Sequence, residues 1–338
     1  MNPPISASSI RILLCTALAV LFLSSNSKAN WEEVKYNGTD YVTLRSVKTF
    51  YKFDTMKRVG RELVLENKAI EARFVVGGQN VWMNNIKFVF SDPIVSSNGR
   101  YLVSRTDLLK LIDPVLRPQY IKGSTPFTTV IIDPGHGGAD PGATSSRYGS
   151  EKHYTLRVAR KLRDELKKRN FKVVMTRDSD KTLSLPERVA FANRINNAIF
   201  ISIHFNSGGR GRAEGIETFT GSPVGVAHYG RGVKASDFEA NIGNAQDSAN
   251  IALATAVHSS SLLLTRRPDR GIRRARYNVL TGVRHPAILF EGGFLSHAFE
   301  SRLIHNDAYQ NTLAKAIANA VVKYKIATES KAQAQRRR

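Results

Sequence analysis

Among 338 residues there is a single cysteine, Cys15. It lies in the apolar run "ILLCTALAVLFLSS", which follows Arg11 and precedes the small-x-small triplet Ser27-Lys28-Ala29. A cation, a short apolar run and such a triplet read as a secretory signal over residues 1–29, cleaved near Ala29. The run is short of the roughly 20 apolar residues of a spanning helix. Bulky Leu14 before Cys15 also argues against a lipid anchor. Without the signal the chain has no cysteine, which excludes disulfides and a thiolate nucleophile. Any metal must then be held by nitrogen and oxygen ligands.

Acidic residues are scarce, with 28 Asp and Glu against 50 Lys and Arg, for a formal net charge of +22. Arg11 and Lys28 are the only charges in residues 1–29, so the mature chain keeps +20. A surface this basic seeks polyanions. Export turns the expectation from nucleic acid to anionic polymers and lipid head groups of the cell envelope, reached in the periplasm or outside the cell. No second long apolar run follows, so no integral membrane span is expected in the mature chain.

What is present is enough for two domains. From 30 to 117, short alternating runs such as "ELVLENKAIEARFVVGG" and "NVWMNNIKFVF" are separated by turn signals. They predict a small, mostly β (α+β) domain. "NGTDYVTLRSV" and "NGRYLVSRTDLLKLI" within it resemble each other. "RPQYIKGSTPF" lacks periodicity and reads as a linker over 118–127. From 128 to 326, the apolar runs "TTVIID", "FKVVMTR", "AIFISIHF", "GIETFT" and "PAILFEGG" alternate with amphipathic stretches. That alternation predicts an α/β domain with a mostly parallel twisted sheet and helices on both faces. Ser184, three residues before Glu187 with Pro186 between, marks a helix start. Residues 327–338, ending "KAQAQRRR", are expected to be a disordered basic tail.

In an open parallel sheet, ligands bind at the carboxyl ends of the strands. His136 follows one such end in "VIIDPGHGGADPGA", His204 ends "IFISIH" and Glu291 ends "AILFE". Glu151, with Ser150 as its expected cap, opens the helix after the glycine-rich loop and can face the same edge. Two imidazoles and a carboxylate suffice for a catalytic zinc with an open position. Glu291 is then free to act as base, taking a proton from water and returning it to a leaving amine. Each signal is weaker alone: a histidine in a Gly-Pro turn can be structural, and an acid in a first helical turn can simply complement the helix dipole. Glu217 in "GIETF" is an alternative acid. His153 points to another helix face and His285 precedes its strand, so neither suits the site.

At these residues the chain resembles a known family. "DPGHGGADPGA", "GSEKHYTL", "SIHFN", "GIETF", "DRGIRRARYNVL" and "PAILFEGGFLS" are similar, in order, to motifs of the zinc-dependent N-acetylmuramoyl-L-alanine amidases of cell separation and sporulation. The resemblance implies zinc ligands at His136, Glu151 and His204 and a catalytic glutamate at Glu291. It also implies hydrolysis of the amide between N-acetylmuramic acid and L-alanine in peptidoglycan. This chain departs from the pattern at Phe205 and Gly292, the neighbours of the second histidine and of the glutamate. Some members carry an autoinhibitory helix relieved by a protein activator; residues 221–247 here are glycine-rich and predict a substrate-lining loop. Asn206, Arg270 and Arg273 are candidate substrate contacts. "PDRGIRRAR" reads either as guanidinium groups for stem-peptide carboxylates or as a solvated basic face. Residues 30–117 resemble the N-terminal domain of copper amine oxidases, a stalk of exported bacterial proteins, though the segment has no histidine to hold copper. Two other readings compete: an exported zinc peptidase of the stem peptide, and a non-catalytic envelope-binding protein.

Overall fold

The computed structural model describes residues 31–118, 121 and 126–336. The expected signal over 1–29 and most of the linker at 118–127 lie outside the described residues. The chain divides into two units between Ile112 and Asp113, ahead of the expected boundary at 117.

In the first unit, strands β1 (Glu33–Tyr36) and β2 (Thr39–Thr43) lead into helix α1 (Leu44–Phe50). A meander follows: β3 (Thr55–Val59), β4 (Glu62–Glu66), β5 (Glu71–Val75), β6 (Asn80–Met83) and β7 (Ile86–Val89), each antiparallel to the next. Alternate residues are buried, as Leu63, Leu65, Phe74 and Val81 show. Strands β8 (Val95–Ser97) and β9 (Arg100–Ser104) then lead into the single helical turn α2 (Arg105–Asp107), continued by a π-turn to Ile112. The two similar sequence stretches adopt the same form. Asn37-Gly38 and Asn98-Gly99, all at positive φ, turn two-residue hairpins. Thr43 and Ser104 then cap the helices by accepting from Ser46 N and Asp107 N, and β2 pairs with β9.

The second unit begins with α3 (Asp113–Leu116) and β10 (Thr129–Pro134), followed by a small hairpin, β11 (Thr144–Ser145) and β12 (Gly149–Ser150). Next come α4 (Glu151–Lys167), β13 (Lys172–Met175), α5 (Leu185–Asn193), β14 (Ala198–Asn206) and β15 (Ile216–Gly221). The chain ends with α6 (Asp247–Thr265), β16 (Asp269–Ala275), α7 (Asn278–Thr281), β17 (Ala287–Phe294), α8 (Ala298–His305) and α9 (Asp307–Arg336). Strands of this unit run in the order β13-β10-β14-β17-β15-β16. The first four are parallel; β15 is antiparallel to β17, and β16 runs parallel to β15. Helices cover both faces. Thr218 of β15 meets His258 of α6, while its neighbour Phe219 joins the core of α5 and α7 through Ala192, Val279 and Leu280.

Three local expectations need adjustment. Ser184 and Glu187 form the reciprocal capping box at α5, but Ser150, although it precedes α4, makes no side-chain cap bond. Strand β16 was hidden in "DRGIRRA", whose arginines conceal a strand that is mostly buried. Helix α9 runs to Arg336, so the segment expected to be disordered is helical that far; its Ala, Lys and Gln are strong helix formers. Among the described residues, no helix is long and apolar enough to cross a membrane.

Candidate metal centre

Strand β10 is buried from end to end and delivers the chain into the glycine turn that holds His136. His136 itself sits at φ +59°, followed by Gly137 and Gly138, also at positive φ. Two other glycines make room for the side chains that meet there. A Cβ on Gly135 would lie 2.2–2.6 Å from atoms of the His204 imidazole. One on Gly142 would lie 2.6 Å from both Glu151 Oε2 and His136 Cδ2.

The structure brings His136, Glu151 and His204 together, with one ligand atom from each within 4.8 Å of the others. His136 Nε2 is 3.1 Å from Glu151 Oε2, and His204 Nδ1 is 2.9 Å from Glu151 Oε1. Backbone amides of Ala143 and Phe205 donate to the two oxygens of Glu151 at 2.8 and 2.9 Å. His136 Nδ1 donates to Asp140 at 2.8 Å, which turns Nε2 towards Glu151. Asp140 was not singled out in the sequence; its position four residues on, in the same glycine turn, was the available signal. Burial opposes protonation of His136, but its bonds to Glu151 and Asp140 outweigh this and raise its pKa. Burial would raise Glu151, yet the bonded histidines hold it well below the usual carboxylate range.

Glu291 stands opposite His204 in the β14–β17 pairing and opposite Glu217 in the β17–β15 pairing. It is buried, and its Oε2 has no hydrogen-bond partner among the described residues. Burial, then the charges of Glu151 and Glu217, push its pKa well above the usual value. A divalent cation fits this set: two imidazole nitrogens and a carboxylate oxygen converge beside a second carboxylate whose ionisation the first opposes.

Glu217 is at the same edge because antiparallel β15 begins where β17 ends. It is fully engaged, accepting from Asn206 Nδ2 at 2.6 Å and from Arg270 Nε at 2.9 Å, with Arg273 Nη2 at 3.2 Å. Asn206, Arg270 and Arg273 are therefore gathered around one acid. The guanidinium of Arg273 also lies 4.1 Å from the Tyr229 ring centroid. The solvated basic face does not form: Arg273 and Arg274 are buried in β16, and Arg276 ties down the loop through Pro223, Val226 and Asp237. Residues 221–247 hold two 3₁₀ turns, Ala235–Phe238 and Ile242–Gln246, with no α-helix before Asp247. His153 is exposed on α4, and His285 bonds to Ala192 O before β17 begins.

Residues 130–323 match the profile of the family described as N-acetylmuramoyl-L-alanine amidase. The probable cell wall amidase LytH of Staphylococcus epidermidis is 27% identical over 84% of this chain and 78% of its own length. The N-acetylmuramoyl-L-alanine amidase AmiA of Escherichia coli is 27% identical over 66% of this chain and 84% of its own. Among solved structures, an N-acetylmuramoyl-L-alanine amidase from Clostridium difficile is similar with a TM-score of 0.50 and 33% identity, over 59% of this chain and 97% of that one. With the profile spanning more than half of the sequence and the glycine turn, the convergent histidines and the glutamates of β15 and β17 all inside it, the chain belongs to the N-acetylmuramoyl-L-alanine amidase family.

Proposed function

We propose that this protein hydrolyses the amide between the lactyl group of N-acetylmuramic acid and L-alanine in peptidoglycan, with zinc held by His136, Glu151 and His204. The observation that carries the reading is the convergence of those three ligand atoms beside a buried carboxylate oxygen that has no partner among the described residues. When bound, zinc supplies Lewis acidity, lowering the pKa of water towards about 7 and polarising a carbonyl oxygen. Glu291 receives the proton that water sheds as it attacks the amide carbon, then delivers it to the departing nitrogen of L-alanine. Asp140 keeps Nε2 of His136 aimed at the ligand position. Arg270, whose side chain is 33% exposed, is the member of the Glu217 cluster open to a stem-peptide carboxylate. Arg273 and Asn206 set it in place through Glu217.

In this reading residues 128–326 form the catalytic domain and residues 30–117 an accessory binding or spacing module. The protein is exported and acts in the envelope. The test is mass spectrometry of purified peptidoglycan digested with the mature protein, with chelator, and with zinc restored. Intact stem peptides bearing a free L-alanine amino group, lost on chelation and regained with zinc, are the expected products. Cleavage inside the stem would instead establish a peptidase, and undigested polymer with zinc-loaded protein would point to a missing activator or a binding role.

A further inference from the structure

Below the His136 turn lie two arginine side chains with no part in the chemistry described above. Arg177, just after β13, is 1% exposed, and Arg188 of α5 is 3% exposed. A guanidinium is a costly filler for a core, because burial strips water from five donors and a charge. Among the described residues one acid pairs with them, and only with Arg188: Asp133 lies 2.7 Å from Arg188 Nη1 and also accepts from Thr176 at 2.5 Å and Ser202 at 2.8 Å.

Two of the remaining bonds are local, from Arg177 Nη1 to Ser179 O at 3.1 Å and from Arg188 Nε to Leu183 O at 3.3 Å, but four converge on the His136 turn. Arg177 donates to Pro134 O at 3.0 Å and Gly135 O at 2.7 Å. Arg188 donates to Pro134 O at 2.8 Å and His136 O at 2.7 Å. Three consecutive carbonyls, ending at the residue with φ +59°, are thereby fixed. Arg177 reaches further, donating to Lys152 O at 3.0 Å and Thr155 Oγ1 at 3.1 Å in α4, the helix that Glu151 begins. Thr155 Oγ1 itself donates to Gly135 O at 2.8 Å. One side chain thus spans the turn carrying His136 and the helix carrying Glu151.

We propose that Arg177 and Arg188 are positioning residues of the metal centre, holding the His136 turn against the start of α4 so that the donor atoms are set before a cation arrives. The inference rests on the metal reading given above. Core filling alone would call for apolar side chains; it would not require forked donors spent on the backbone of one turn.

The experiment measures zinc affinity of the full mature chain by competition with a chromogenic chelator, for the parent, Arg177→Lys, Arg188→Lys and His204→Ala. Melting in excess chelator checks that each variant is folded. Lysine keeps the charge but cannot span the same carbonyls, so the two variants are expected to bind zinc about 10- to 100-fold more weakly. At saturating zinc, kcat should fall with KM little changed. Folded lysine variants that bind zinc within about twofold of the parent would overturn the proposal. If the lysine variants do not fold, Ser202→Ala decides, since it loosens Asp133 beneath Arg188: weaker zinc binding supports the proposal, and unchanged binding overturns it. His204→Ala separates the two possible failures. Zinc binding intact in that variant as well would sink the metal reading, whereas binding lost there and kept in the arginine variants would sink the positioning role alone.

Discussion

Glu291 and Glu217 face each other across one strand pairing, yet their surroundings separate them. Glu217 accepts hydrogen bonds from Asn206 and Arg270 and is ion-paired with Arg273, while one oxygen of Glu291 has no partner among the described residues. A proton carrier must change its protonation state without breaking a fixed network, and that favours Glu291. Glu291→Gln should leave zinc content unchanged and lower kcat by about 10²- to 10⁴-fold, as loss of a general base does. Metal analysis alongside steady-state kinetics checks this, and a variant that also lost its zinc would contradict the base role. Gly135→Ala tests the space rather than the chemistry: its new methyl would meet the His204 ring at 2.2–2.6 Å. The expected result is a folded protein with displaced His204 and weaker zinc binding, read by chelator competition. The positions of His136, His204 and Glu291 were legible because each follows an apolar run and so falls near the carboxyl end of a strand, although β14 runs on two residues past His204 and β17 three past Glu291, further than the sequence suggested. Glu217 was legible as an alternative acid and Asn206, Arg270 and Arg273 as candidate contacts, but their gathering around Glu217 was not, because it depends on β15 running against its neighbour, which local pattern does not encode. Gly292 and Phe205, the two departures from the family pattern, prove to be neighbours, with a Cβ on Gly292 falling 2.9 Å from Phe205 Cε1. The larger ring occupies the space that a side chain at 292 would need.

At the scale of elements, the continuous runs of β10, β14 and β17 gave the buried strands directly. β16 escaped because burial of arginine depends on acids supplied by other segments. The loop 221–247 shows the same dependence. Asp237 within it is buried and binds Arg231 at 2.6 Å and Arg276 at 2.8 Å, and it accepts from Lys234 N at 2.8 Å. Chiefly through the Arg231 bond, its pKa is held well below the ordinary carboxylate value. A group with a depressed folded pKa stabilises above its unfolded value of about 3.9, and the stabilisation is lost as pH falls towards the folded value. Protection of the 221–247 amides, measured against their intrinsic exchange rates at each pH, should therefore be high at neutral pH and fall below about pH 4. Asp237→Asn should exchange fast at neutral pH already. Equal protection of that variant and the parent at pH 7 would remove the acid from any anchoring role.

For the whole molecule, charge separates reaching the substrate from cutting it. The chain carries a formal net charge of +22, of which +20 lies in residues 30–338, and envelope polymers carry many anionic groups. Attraction between them acts over a Debye length of about 10 Å at 0.1 M salt and about 3 Å at 1 M. The candidate site depends on short contacts among buried groups, which salt screens far less. If the basic surface serves capture of the wall, digestion of insoluble peptidoglycan should slow steeply as salt rises through this range. Hydrolysis of a small soluble muropeptide of low charge should change little, because it needs no long-range capture. Running both substrates across one salt series makes the comparison internal, since any effect on zinc binding or folding would lower the two rates together. Parallel decline of both rates would assign the salt effect to the site or to stability, and would leave the basic surface without a part in finding substrate. Divergence, with only the polymer rate falling, would mean that the basic surface acts in capturing the wall polymer and not in the reaction.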